Sequence, residues 1–152
     1  MVINEYGNKK DPIVLLLAPM MVSGEDLYQL MHPYFYKEYH FIAPDQGGHG
    51  KAGSYINADE EYKTLRSFLL DSGYTEIELV YGASLGVALG YRIFLDPAFT
   101  IHHAWFDGVA LSRNARFAEW FMKRMFRSLK QIHLLKTIHL KQMSLLQTYQ
   151  WI

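Results

Sequence analysis

The feature that most constrains the fold is a serine between two glycines, placed where an apolar strand pattern gives way to a helical one. Residues 79–81 form an apolar run typical of a buried strand, and residues 87–94 have the pattern of a helix. The turn between them is so tight that its flanking positions must be nearly free of side chains, which explains Gly82 and Gly86. Ser84 is therefore predicted to have a strained backbone, with its hydroxyl clear of the sheet edge.

The position of Ser84 between a strand and a helix gives this turn a chemical interpretation. A Gly-x-Ser-x-Gly turn in that context is the arrangement of a nucleophile elbow. The N–H of Leu85, at the start of the predicted helix, points to where a negatively charged oxygen would form during attack on a carbonyl. The alternative is a glycine-rich turn in which Ser84 only caps the helix. The context favours the nucleophile.

Strand and helix patterns alternate along the first two thirds of the chain. Residues 13–18 are apolar throughout, as expected for a central strand of a parallel sheet covered on both faces. The remaining predicted elements are an edge strand at 1–6, strands at 40–43, 77–81 and 101–106, and helices at 24–36 and 57–71. This order predicts an α/β fold with a mostly parallel sheet, helices on both faces and a site at the carboxyl ends of the strands.

A second glycine-rich segment, Asp-Gln-Gly-Gly-His-Gly at residues 45–50, follows a predicted strand. Together with the serine turn and the strand and loop of residues 13–24, it resembles the N-terminal portion of the α/β-hydrolases. The resemblance covers about residues 1–112, and the family's strand order would place the strand of Ser84 between the two other longest strands. Four residues of the second segment are expected near the site: Asp45, Gly48, His49 and Gly50.

The resemblance implies a serine hydrolase that acts on a small ester, amide or thioester through an acyl-enzyme on Ser84. It also implies an oxyanion hole made by the N–H groups of Leu85 and of Met20, with Met21 as the alternative to Met20. The family often has His-Gly where this chain has Ala-Pro at residues 18–19. Backbone N–H groups need no particular side chain, so the hole is compatible with this difference.

The family also needs an acid and then a histidine after the serine. Asp107 is the best candidate for the acid because it ends a predicted strand and precedes a glycine, although a plain turn aspartate is the alternative. No histidine has a matching position. His102 and His103 lie inside a strand, where only one can face the core, and His49 more simply shapes its own loop. Weak or no activity is expected because the base is not identifiable.

Residues 113–152 differ from the rest of the chain in charge and pattern. Residues 1–112 hold 7 Lys/Arg and 14 Asp/Glu, whereas residues 113–152 hold 8 Lys/Arg and one acid. Apolar residues recur there at spacings of three and four, which predicts one or two basic amphipathic helices containing His133 and His139. The resemblance implies the start of a helical cap over the active site. Without further strand signals, the chain is expected to be a hydrolase domain shortened by truncation or a shifted reading frame.

Composition argues against several other classes of function. The net charge of zero indicates no nucleic-acid partner, and the lack of cysteine and of metal-binding histidine spacings predicts neither metal nor cofactor. No apolar run is long enough for a membrane span, and the polar start is unlike a signal peptide, so a cytoplasmic protein is expected. The alternative function is a non-catalytic remnant or interaction module that presents the basic helix to a partner. Self-association through that helix or an exposed sheet edge is expected.

Overall fold

Five strands and three α-helices alternate along the part of the chain that the computed structural model describes, residues 1–108. The elements are β1 (Glu5–Tyr6), β2 (Ile13–Leu17), α1 (Gly24–Met31), β3 (His40–Ile42), α2 (Ala58–Asp71), β4 (Glu76–Ala83), α3 (Leu85–Phe94) and β5 (Thr100–Asp107). The helices predicted within residues 113–152 lie outside this range, so the division into a core and a basic helical segment stays a prediction.

The five strands form one sheet in the order β1-β3-β2-β4-β5. The four longer strands are parallel, and only β1 runs antiparallel, pairing with β3. Leu16 of β2 pairs with Tyr81 of β4, which pairs in turn with Trp105 of β5. The strand that leads to Ser84 therefore lies between β2 and β5, as the resemblance implied, and its carboxyl end is flanked by those of two neighbours.

The alternation of side chains along β2 builds a core on each face of the sheet. Ile13, Leu15 and Leu17 face a cluster that includes Leu65 and Leu69 of α2 together with residues of α3. The intervening side chains of β2 face a second cluster that includes Leu27 of α1 and Phe41. Burial on both faces explains why every position of β2 is apolar. The predicted α/β class, the mostly parallel sheet and the helices on both faces are confirmed.

Two predicted elements are shorter in the structure. The helix predicted at residues 24–36 ends at Met31 and continues only as a 3₁₀ turn, His32–Tyr34, because Pro33 has no N–H to continue the helical hydrogen bonds. The edge strand predicted at residues 1–6 is limited to β1, with an isolated bridge between Val2 and Asp45 before it. Within residues 1–108, no helix has the length and hydropathy of a membrane span.

Asp96 follows α3 and ties this helix to α2. Its buried carboxylate accepts hydrogen bonds from the Tyr62 hydroxyl at 2.6 Å, from Arg66 Nε at 2.6 Å and from the Ala98 N–H at 3.0 Å. Burial alone would raise the pKa of Asp96, but the hydrogen bonds from Tyr62, Ala98 and Arg66 outweigh it and lower the pKa below its ordinary value. The helix that starts at the serine turn is thus fixed at its other end by a charged group.

Because its folded pKa is lowered, Asp96 should stabilise the protein above the pKa of an unfolded aspartate, about 4, and lose that contribution as the pH falls through the folded pKa. We expect Asp96→Asn to lower the free energy of unfolding at pH 7 by about 1–3 kcal/mol and to weaken its pH dependence below about pH 4. Urea unfolding of the full chain at several pH values measures both. Asp71→Asn, at an exposed end of α2, is the control and should change stability by less than about 0.5 kcal/mol. Equal effects would contradict the role of Asp96.

Candidate active site

Ser84 joins β4 to α3 in a conformation that side-chain-bearing residues rarely adopt. Its backbone has φ 47° and ψ −104°, and among residues 1–108 only Met21 shares a positive φ without being glycine. Such a conformation costs on the order of 1–3 kcal/mol and persists only where the surroundings enforce it. The Ser84 side chain forms no capping hydrogen bond with α3, and the residue is exposed. Its hydroxyl is therefore not engaged in capping the helix.

The two glycines of the turn are required by close backbone approaches. A Cβ at Gly86 would collide with the backbone carbonyl of Leu17 in β2. A Cβ at Gly82 would lie 3.0 Å from the carbonyl oxygen of Gly86, closer than side-chain carbons normally come. The start of α3 is therefore packed against β2, and Ser84 is held where the two strands end.

The candidate oxyanion-hole groups lie at the ends of adjacent strands. Leu85 is the first residue of α3, and the first N–H groups of a helix have no acceptor within the helix. Met20 and Met21 lie in the loop that follows β2, where the Val22 N–H donates to the Pro19 carbonyl at 3.3 Å and closes a turn. Met21 has φ 68° in this turn. The candidate N–H groups of Leu85 and of this turn belong to one edge of the sheet.

Asp107 lies beside the serine turn through the backbone of β5. The Ser84 N–H donates to the Asp107 carbonyl at 2.8 Å, and Ala83 pairs with Asp107 in the parallel ladder. Asp107 is exposed, and Gly108 after it has φ +70°. Burial raises the pKa of the Tyr81 hydroxyl, and the negative charge of Asp107 adds to that rise. Asp107 is thus held at the same sheet edge as Ser84.

Asp45 organises the glycine-rich loop that follows β3. Its carboxylate is buried and accepts hydrogen bonds from the Gly24 N–H at 2.7 Å and from the Lys51 N–H at 2.9 Å. A Cβ at Gly50 would collide with this carboxylate, and Gly50 has φ +51°. Gly48 has φ +81°. These residues shape the loop and join it to the start of α1.

Two polar side chains at this edge were not singled out from the sequence. The Gln46 side-chain amide donates from Nε2 to the Ala18 carbonyl at 2.9 Å. Both carboxylate oxygens of Glu61, in α2, accept from the Gly47 N–H at 3.2 Å. Gln46 and Glu61 are buried, which is rare for such side chains unless they are paired. Neither has a signal in the local pattern, because their partners are far away in the sequence.

Each of the five histidines in residues 1–108 has a polar partner, and none of these partners is Ser84 or Asp107. His49 Nδ1 lies 3.0 Å from the Gly47 carbonyl oxygen, so its ring is engaged with its own loop. The sequence allows at most one of His102 and His103 to face the core, and in the structure neither does. Both are exposed, because β5 is the last strand of the sheet within residues 1–108.

His102 and His103 lie near acids of the neighbouring strand β4 instead of in the core. His102 Nε2 is 2.9 Å from Glu76 Oε1, and His103 Nε2 is 3.9 Å from Glu78 Oε1. His133 and His139 lie outside the described residues. Among residues 1–108, no group of three or more His, Asp or Glu side chains is arranged to hold a metal ion.

Solved structures with the same architecture were found by structural comparison. An alpha/beta hydrolase family protein from Desulfitobacterium hafniense aligns with a TM-score of 0.63 and 18% identity, covering 70% of this chain and 43% of that one. The chain has the α/β-hydrolase fold. A hydrolase from Pseudomonas aeruginosa PA01 aligns at a TM-score of 0.63 and 15% identity over 80% of this chain and 47% of that one. An esterase from a marine microorganism aligns with a TM-score of 0.63 and 13% identity, covering 84% of this chain and 49% of that one.

These similarities establish the α/β-hydrolase fold and not an activity, because the identities are 18%, 15% and 13%. The chain spans less than half the length of each of the three proteins, at 43%, 47% and 49%. No protein-family model matches the chain, and a search of the curated proteins found no significant match.

The strained backbone at Ser84 makes a stability prediction. Glycine adopts positive φ without penalty, so Ser84→Gly should be more stable than Ser84→Ala by about 1 kcal/mol, although both remove the hydroxyl. The comparison is made by urea unfolding of the two variants. Ala88→Gly, at an exposed position inside α3, is the control. It should lower the free energy of unfolding by about 1 kcal/mol, because glycine is disfavoured in a regular helix. A Ser84→Gly variant less stable than Ser84→Ala would show that the turn is not strained.

Proposed function

We propose that the protein is a serine hydrolase of the α/β-hydrolase type, in which Ser84 attacks the carbonyl of a small ester, amide or thioester. The observation that carries the proposal is the strained backbone of Ser84 at a strand-to-helix turn, with its hydroxyl not used to cap the helix. The fold supports the same class, and one solved structure with this fold is that of a marine microorganism esterase.

The proposed chemistry proceeds through an acyl-enzyme. Ser84 Oγ bonds to the carbonyl carbon while a base takes its proton, and the carbonyl oxygen becomes an oxyanion. The N–H of Leu85 and that of Met20, or alternatively Met21, donate to this oxygen. The intermediate then expels the alcohol, amine or thiol with the proton, and water releases the acid by the same steps. Asp107 is proposed to orient the base.

The base is the part of this mechanism that has no residue assigned among residues 1–108. The polar partners of the five histidines there do not include Ser84 or Asp107. A serine without its base keeps only the catalysis that the oxyanion hole and binding provide, on the order of 10⁴–10⁶ below the intact triad. The proposed activity of the chain is accordingly low.

We expect the 152-residue chain to react with an organophosphonate at Ser84 slowly, with one label per chain, because no base activates the serine, and to hydrolyse p-nitrophenyl acetate barely above background. Intact-mass spectrometry with peptide mapping locates the phosphonate, and release of p-nitrophenol measures turnover. Ser84→Ala should abolish labelling. Labelling that persists at the same rate in Ser84→Ala would refute the assignment of the nucleophile.

An ordinary enzymatic rate that Ser84→Ala removes would contradict the expected low activity. The base would then be present in the chain. The variants His49→Ala and His133→Ala would distinguish the two next candidates for the base. The variant that loses turnover but still unfolds cooperatively would identify the base.

Exposed aromatic side chains favour a second candidate function, a non-catalytic interaction module. Trp105 of β5 is 62% exposed, and Tyr91 and Phe94 of α3 are exposed beside Phe106. Apolar side chains and strand edges of this kind promote association. We expect the full chain to self-associate, with a mass by light scattering that increases with concentration. A monomer at high concentration with cooperative unfolding would argue against this candidate.

A further inference from the structure

The segment from the end of β2 to the first residue of α1, residues 18–24, is held at both ends by two consecutive side chains from another loop. Gln46 Nε2 donates to the Ala18 carbonyl at 2.9 Å, and the Gly24 N–H donates to Asp45 Oδ1 at 2.7 Å. Asp45 and Gln46 are only 2% and 5% exposed. Because β2 and β3 are parallel neighbours, both loops leave the sheet at the same edge, and the two bonds join them there.

The two residues that hold this loop are themselves fixed. The Asp45 N–H donates to the Val2 carbonyl at 2.8 Å, and the Val2 N–H donates to the Asp45 carbonyl at 3.1 Å. After Gln46, the Gly47 N–H is bonded to the buried Glu61 carboxylate of α2. The side chain of Gln46 therefore extends from a backbone segment that is fixed on both sides, and its amide links that segment to Ala18.

The middle of residues 18–24 carries the N–H groups of the proposed oxyanion hole. Met21 is 69% exposed and has φ 68°, so its own side chain contributes little to holding the turn. A strained turn keeps its shape only when its surroundings enforce it. Besides the bond from the Val22 N–H to the Pro19 carbonyl within the turn, the enforcement comes from the two ends, since Gly24 also packs so closely on the Ala43 carbonyl that a Cβ there would collide. Preorganised donors stabilise an oxyanion only when they are held in place before the reaction.

We propose that Gln46 is a positioning residue for the oxyanion hole, an inference that rests on the proposed function of Ser84. By holding the Ala18 carbonyl, its amide sets the place of the following turn and hence of the Met20 and Met21 N–H groups. Gln46 is the informative residue of the pair. Asp45 also bonds the Lys51 N–H, so its loss would disturb a second loop segment.

The test is the rate at which Ser84 reacts with a p-nitrophenyl alkylphosphonate and with its thiono analogue, in which sulfur replaces the P=O oxygen. Sulfur is a larger and weaker hydrogen-bond acceptor than oxygen, so an intact oxyanion hole favours the P=O reagent. The ratio of the P=O rate to the P=S rate therefore reports on the oxyanion hole rather than on folding. Gln46→Met keeps the approximate size of the side chain but lacks the N–H donor. We expect it to slow the P=O reaction about tenfold, less than the 10²–10³ lost when a donor is removed outright, and to lower the ratio.

Tyr62→Phe is the matched control. The Tyr62 hydroxyl donates to Asp96 Oδ2 at 2.6 Å, so this variant also removes a partly buried side-chain donor with little change of size, at a bond that involves neither residues 18–24 nor the carbonyl on which Gly24 packs. This variant should lower the midpoint of thermal unfolding and leave the ratio of the two phosphonate rates unchanged. A similar fall of the ratio in Tyr62→Phe would show that the ratio follows stability, and would overturn the proposal.

The remaining outcomes distinguish a failure of the proposed function of Ser84 from a failure of the positioning role of Gln46. If Ser84→Ala prevents labelling but Gln46→Met keeps the wild-type ratio, the proposed function stands and the role of Gln46 is wrong. If the wild-type chain is not labelled on Ser84, both fail. Gln46→Asn, one methylene too short to reach Ala18, is the second variant and should lower the ratio in the same way. Loss of cooperative unfolding in both variants would assign Gln46 to the fold and overturn its positioning role.

Discussion

The close approach of the start of α3 to β2 is the constraint on which the rest of the site depends. A side chain at Gly86 would collide with the Leu17 carbonyl, so the chain can turn from β4 into α3 only with glycine there. That turn forces Ser84 into its strained conformation, and the bond from the Ser84 N–H to the Asp107 carbonyl fixes it from the other side. The central place of β4 in the sheet is what makes both neighbours available.

The loops around this turn are held together by buried polar groups. A carboxylate such as that of Asp45 is costly to bury unless hydrogen bonds compensate it, and here two backbone N–H groups do so. The buried Gln46 amide donates to the Ala18 carbonyl, and the buried Glu61 carboxylate accepts from the Gly47 N–H. The bonds from the Gly24 N–H to Asp45 and from Gln46 to the Ala18 carbonyl join the segments that follow β2 and β3. The bonds of Lys51 and Glu61 hold together the segment after β3, so polar side chains connect the loops where the apolar core ends.

The groups proposed for the chemistry differ in how the chain can supply them. The groups proposed for attack and for oxyanion binding come from a strand-to-helix turn and a backbone loop, which short stretches of chain can supply. The proposed base requires a side chain brought to Ser84 from elsewhere, and within residues 1–108 no histidine has Ser84 as a hydrogen-bond partner. The shared fold with an esterase and other hydrolases is compatible with both candidate functions, since a fold by itself does not specify a reaction.

The sequence by itself determined the order of the elements, the central place of residues 13–17 and the glycine-flanked turn at Ser84, because periodicity and tight-turn chemistry act over a few neighbouring residues. Only the tertiary structure decided which distant groups meet. It paired Gln46 with Ala18, buried His40 against Glu5, and left His102 and His103 exposed on β5. The physical reason is that a polar side chain has no period, and its partner is set by how the sheet brings remote segments to the same edge.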